Sequence, residues 1–133
     1  MWDHNKEIRD KVNIIVWILQ IMLALAFLMA GSIKVFRYDL ALQIMSFTEV
    51  MPRSFVTFVG VLEILGAIGL ILPAATGILP WLTVLAAAGL VMLMIAASTF
   101  NVWRGNYSEL LTSATFLVLS TAALYGRWVV VPL

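Results

Sequence analysis

The 133-residue sequence contains no cysteine, so disulfides, thiolate metal sites and a dithiol redox relay carried by this chain are excluded. It has one histidine, His4, placed before the first apolar run, and a haem, iron or zinc centre built by this chain alone is not expected. Charge is sparse too: 11% of residues are Asp, Glu, Lys or Arg, and a net charge of +1 offers nothing to attract nucleic acid or a strongly acidic partner. Residues 12–33 and 64–103 carry no formal charge. What fills the chain is apolar, 63% of it, with a mean hydropathy of +1.06, far from the balance of a soluble domain. That composition describes an integral membrane protein. A span takes about 20 apolar residues, so 64–103 is long enough for two passes once a turn divides it.

The turn signals predict four helices, over 12–36, 54–72, 79–100 and 108–125, in one domain covering 1–133. Pro52 opens the second helix, and the stretch from Pro73 through Thr76-Gly77 to Pro80 makes a short connection to the third. Backbone groups in lipid must be satisfied within the segment, so short connections between apolar helices mean an all-α, antiparallel four-helix transmembrane bundle. The first apolar run is about 20 residues, longer than a signal-peptide core of roughly 7 to 15, and reads as a retained helix. Trp17, Trp81, Tyr125 and Trp128 fall near one set of helix ends and Tyr38, Trp103 and Tyr107 near the other, as two interfacial belts would.

The segment between the first two helices is too long for a turn and too apolar for a free loop. Over 39–51, Leu40, Ile44 and Phe47 to Met51 form one oily face, with Asp39, Gln43 and Glu49 elsewhere, so a short amphipathic helix at the interface is expected, acting as a lid on the bundle or as a recognition element. The methionines, among them Met22, Met45, Met51 and Met94, are scattered over several elements and read as gap fillers rather than soft-metal ligands.

Glu63 stands alone inside the second apolar segment. An acidic side chain at the bilayer centre costs about 2.5 to 3.5 kcal/mol on insertion scales, so such a group faces a partner, a cavity or a proton path. It lies roughly 13 Å below the mouth of the bundle, nine residues into the helix at 1.5 Å each. That mouth carries Lys34, Arg37, Arg53, Asn101, Arg104, Asn106 and Glu109. Lys34 is the natural partner, because its long stem reaches inward from about one turn inside the interface; Arg37 and Arg104 compete for the same role. On a 3.6-residue helix, Val59, Gly60, Gly66 and Ala67 share the side of Glu63, which suits close helix packing. Purely structural pairing, a ligand or proton role, and a lipid-facing location all remain open for this carboxyl.

The segments Ala30-Gly31-Ser32-Ile33-Lys34-Val35-Phe36 and Gly60-Val61-Leu62-Glu63-Ile64-Leu65-Gly66, followed by Pro73, Thr76-Gly77 and Pro80, resemble the DoxX and DoxX-like family of four-helix membrane proteins. The resemblance extends over nearly the whole chain, including the Arg104 region and Gly126-Arg127. Family members often carry a histidine near the end of the third helix, where this chain has Asn101, which weakens a metal or proton-transfer role at that position. The resemblance implies a membrane subunit tied to redox metabolism, since the family name comes from quinone-linked sulfur oxidation, in which a DoxX-like chain accompanies other subunits. Distant eukaryotic relatives resemble assembly chaperones for membrane receptors.

Three readings follow. In the first, the chain is a non-catalytic, quinone- or lipid-binding subunit beside an oxidoreductase partner, with Lys34, Glu63, Asn101, Arg104 and Arg37 as the polar site and no catalytic residue or metal of its own. In the second it is a small proton-coupled transporter, which would need a homo-oligomer. In the third it is a membrane assembly factor whose charged pair only fixes helix register. The expected setting is a bacterial or archaeal plasma membrane. Both termini are placed in the cytoplasm by the first span, although Lys6, Arg9, Lys11 and Arg127 on one side balance Lys34, Arg37, Arg53 and Arg104 on the other.

Overall fold

The computed structural model describes residues 4–133, apart from the side chains of Ser46 and Phe47. It is all-helical over these residues: α1 (His4–Phe36), α2 (Tyr38–Ile44), a 3-10 turn (Ser46–Glu49), α3 (Arg53–Thr76), α4 (Trp81–Arg104) and α5 (Tyr107–Tyr125), which runs on into a π-helical turn (Gly126–Val130). Four of these segments are long and apolar enough to cross a membrane, by length and composition. Each of α3 and α4 has 24 residues, about 36 Å of helix, enough for the hydrocarbon core with some tilt.

Local chemistry accounts for the boundaries. Pro52 and Pro80 occupy the N-caps of α3 and α4, where the missing N–H removes nothing the helix could use. Gly77 and Gly105 close the same two helices in the left-handed region at φ 73° and 71°. Asn106 caps α5, its side-chain oxygen accepting the Glu109 N–H at 3.3 Å. The second spanning helix does not stop at Leu72 as the proline suggested. It continues through Pro73 to Thr76, because the Pro73 carbonyl still accepts the Gly77 N–H at 3.0 Å and a membrane helix tolerates an interior proline. Likewise α1 begins at His4, well before residue 12, its polar first turns carrying an exposed Glu7–Lys11 pair at 3.4 Å. The expected interfacial helix over 39–51 is shorter than predicted and breaks at Met45; Phe47, assigned to its oily face, lies outside the described side chains.

Most buried positions recur at steps of four or three. Such series are Val16, Gln20, Leu23, Phe27, Gly31 and Lys34 on α1, Val56, Gly60, Glu63, Ala67, Leu70 and Pro73 on α3, and Thr83, Ala87, Leu90 and Met94 on α4. That spacing keeps one seam of each helix turned inward and gives the shallow antiparallel crossings of a bundle. Helix α1 packs chiefly on α3, α3 on α4, and α4 on α5, while α1 and α5 share a smaller contact. The core gathers Leu23, Phe27, Leu70, Leu90 and Ala123 in the half of the bundle below Glu63, leaving the half toward the α2 side for the site.

Candidate functional site

Lys34 and Glu63 meet inside the bundle, Lys34 Nζ donating to Glu63 Oε1, with only 9% and 2% of their side chains exposed. Their meeting depends on two glycines. Gly31 lies one turn below Lys34 on α1, and Gly60 one turn above Glu63 on α3. A Cβ placed on Gly60 would lie 2.8 Å from the Gly31 carbonyl oxygen and 2.8 Å from Lys34 Cβ; one on Gly31 would lie 2.6 Å from the Gly60 carbonyl oxygen. The two backbones therefore touch where the pair forms, as small residues permit between membrane helices. Lys34 reaches inward and Glu63 outward across that contact.

A cavity of about 550 Å³ lies beside the pair, walled by α1, α3, α4 and α5. One wall carries Lys34 and Glu63. On the other, Asn101 Nδ2 donates to Ser113 Oγ at 3.2 Å, and Ser98 Oγ lies 3.1 Å from the same oxygen, tying α4 to α5. Ser113 Oγ in turn donates to the Leu110 carbonyl at 3.2 Å. Phe27, Phe55, Phe100 and Phe116 supply much of the apolar lining, and the Phe27 and Phe116 rings sit 5.4 Å apart between α1 and α5. Glu109 and Thr112 complete the polar edge.

The segment over α2 and the 3-10 turn covers this cavity. Ile44, Met45 and Met51 line it, and buried Thr48 holds the segment's fold through its hydroxyl, 2.6 Å from the Met45 carbonyl and 3.1 Å from that of Ala41. Arg53 lies over the Tyr38 ring at 4.8 Å, joining the start of α2 to the start of α3. Arg37 turns away from Glu63 to the exposed Asp39 at 3.5 Å. The backbone N–H of Leu40 and then the Arg37 guanidinium hold the Asp39 carboxyl below its ordinary range. Arg104 lies over the Phe100 ring at 5.7 Å, outside the cavity lining. Of the five predicted site residues, Lys34, Glu63 and Asn101 are brought to one cavity, and Arg37 and Arg104 are not.

The DoxX-like family model matches residues 18–123, from within α1 nearly to the end of α5. The chain belongs to the DoxX-like family. No curated protein and no solved structure matches it.

A second polar cluster in this DoxX-like protein escaped sequence reasoning. Arg127, counted as a flanking charge, is 2% exposed. Its Nε donates to Gln20 Oε1 at 2.6 Å; one terminal nitrogen donates to Asn13 Oδ1 at 2.6 Å and to the Val131 carbonyl at 3.1 Å. Gln20 in turn donates to the Leu70 carbonyl at 2.6 Å, so a single network joins α1, α3 and the π-helical turn. Trp17, read as a belt residue, covers the guanidinium at 5.4 Å. The available signal was Gln20, an amide deep in an apolar run that must find partners in lipid. The chemistry at both clusters is hydrogen bonding and charge pairing: among the described residues no group of three His, Cys, Asp or Glu converges to hold a metal.

Proposed function

We infer that this DoxX-like protein holds a membrane-soluble amphiphile of quinone or lipid type in the cavity, as a non-catalytic subunit of a membrane redox system. The observation that supports the reading is the cavity itself. Its volume, about 550 Å³, is in the range of small-molecule sites, and its lining is apolar except for the Lys34–Glu63 pair on one wall, Asn101 with Ser113 on the other, and Glu109 and Thr112 at the edge. A few fixed polar groups in an oily chamber orient a polar head while the walls accept the rest of the ligand. The redox setting is what the family resemblance implies.

The test is native mass spectrometry with solvent extraction of wild type, Glu63→Gln and the control Arg37→Ala, each purified in mild detergent. A quinone or other discrete amphiphile bound at one per chain, retained in Arg37→Ala and lost in Glu63→Gln, is the expected result. Ligand-free wild type, or a ligand indifferent to Glu63→Gln, overturns the reading.

A further inference from the structure

The four helices form two internally fastened pairs. Helices α1 and α3 are joined at Gln20 with the Leu70 carbonyl, at Gly31 with Gly60, and at Lys34 with Glu63. Helices α4 and α5 are joined by Ser98, Asn101 and Ser113. Helices from different pairs approach closely toward the end bearing the termini: a Cβ on Gly66 would meet Leu90 at 2.7 Å, one on Gly69 would meet Ala86 at 2.7 Å, and one on Gly126 would meet Val16 at 2.8 Å. Toward the α2 side the cavity separates the pairs, with Val59 and Glu63 of α3 on one side and Ala97 and Asn101 of α4 on the other.

A second apolar space borders the cavity outside the bundle. Leu93 and Ala96 of α4 line it, and the same two residues line an apolar groove of about 870 Å³ on the outer face between α3 and α4. The exposed Ala96 therefore stands at the border that the inner chamber and the outer groove share. From there the groove follows α4 down to Leu82, about four turns or 21 Å. Its floor includes Gly66, Gly69 and Ala86, and in front of Gly89 there is open space within 4 Å.

We propose that the α3–α4 groove is the tail subsite of the cavity: the ligand is an amphiphile with one long hydrocarbon or prenyl chain, its head beside Lys34, Glu63 and Asn101 and its chain leaving past Ala96 to lie against Gly66 and Gly89. This rests on the binding reading above and specifies the ligand's shape. The occupant is a single chain tied to the head because the groove meets the chamber of that head at Leu93 and Ala96. Moving a chain from lipid into the groove gains no hydrophobic free energy. The chain is placed there by its attachment to a bound head, which raises its local concentration, and by dispersion contacts with the groove. Position, not affinity, is therefore the measurement that reads the subsite.

The experiment uses two photoreactive benzoquinones with one saturated tail, carrying a diazirine either at the ring or at the tail terminus, added to the full chain in phosphatidylcholine bilayers. Decylubiquinone serves as competitor, and cross-linked residues are mapped by mass spectrometry. The expected result is competed ring labelling in the cavity and competed tail labelling confined to residues 62–72 and 82–93. In Ala96→Phe, which narrows the space the two linings share, the tail labelling should fall at least fivefold while ring labelling persists; Val118→Phe, on the exposed face of α5 and outside both linings, should keep both. Competed ring labelling with tail labelling spread over outer residues such as Ile14, Ile18 and Met22 overturns the tail subsite and leaves the binding reading standing. So does groove labelling indifferent to Ala96→Phe, or a groove covered by a second copy of the chain. Ring labelling that no competitor reduces overturns the binding reading, and the tail subsite with it.

Discussion

Replacing Lys34 by Met should be the most damaging single change at the charged pair. Both side chains are almost fully enclosed, so the small value of an exposed ion pair does not apply. Removing one partner of a buried pair costs about 3 to 5 kcal/mol, and an isolated acidic group at the centre of a span costs about 2.5 to 3.5 kcal/mol; the ranges overlap, and a loss of about 3 kcal/mol is expected. Glu63→Leu should cost less, because Lys34 starts one turn nearer the mouth and can extend its amine outward. The double variant, with no charge left to bury, should return to within about 1 kcal/mol of wild type, since a buried pair replaced by apolar groups of similar volume is often neutral. The assay is reversible unfolding by sodium dodecyl sulfate in mixed micelles, followed by tryptophan fluorescence and far-UV circular dichroism, with the three variants forming a double-mutant cycle. Lys34→Met within 0.5 kcal/mol of wild type, a difference within the range of inert substitutions, would refute the reasoning. So would a double variant as unstable as Lys34→Met, since the damage would then come from packing and not from a stranded carboxyl.

Gly60→Ala should destabilise by about 1 to 3 kcal/mol, because its Cβ would meet three neighbours under 3.0 Å and force α1 from α3; Gly89→Ala, meeting nothing within 4 Å, is the control in the same unfolding titration. Arg127→Lys should not rescue Arg127→Met: both should lose about 2 kcal/mol or more, since an ammonium cannot reproduce the fork that reaches Gln20, Asn13 and the Val131 carbonyl. Equal stability of Arg127→Lys and wild type would contradict that geometry. Leu79 adopts φ 47° in the α3–α4 turn while half exposed, so Leu79→Gly should raise the midpoint of thermal unfolding, by relief of about 1 kcal/mol of backbone strain; a lowered midpoint would show that the side chain contributes more than the strain removes.

Trp17 and Arg127 show how far residue-by-residue inference carried. Trp17 was read as a belt residue and Arg127 as a flanking charge, whereas the structure buries Arg127 and lays the half-buried Trp17 ring over its guanidinium. Tyr38 likewise serves a local contact with Arg53 as well as an interfacial position. For Glu63 the partner was legible: Lys34 was preferred over Arg37 and Arg104 for the inward reach of its stem, and the structure pairs the two; the Gly31–Gly60 contact that brings their helices together was not. The break at Met45 and the passage through Pro73 were missed for a related reason, since lid contacts and lipid decide them more than local propensity does.

The sequence by itself determined a membrane protein of four spans, their order and short turns, membership of the DoxX-like family, and the placement near one mouth of the ionisable groups between Lys34 and Glu109 other than Glu63. These are local properties: run length, proline and glycine punctuation, and the spacing of charges. Beyond the Lys34–Glu63 pair, which the sequence already favoured, only the tertiary structure decided which face of each helix looks inward, and hence the Arg127 network and the cavity with its groove. The physical reason is the solvent. In water, burial sorts apolar from polar and writes the inner face into the sequence as amphipathicity. In lipid the outer face is as apolar as the core, so exposed Ile18, Met22 and Leu65 look no different from buried Leu23 and Leu70. Rotation of the helices is then set by close approach at small residues and by the few polar groups that must find one another.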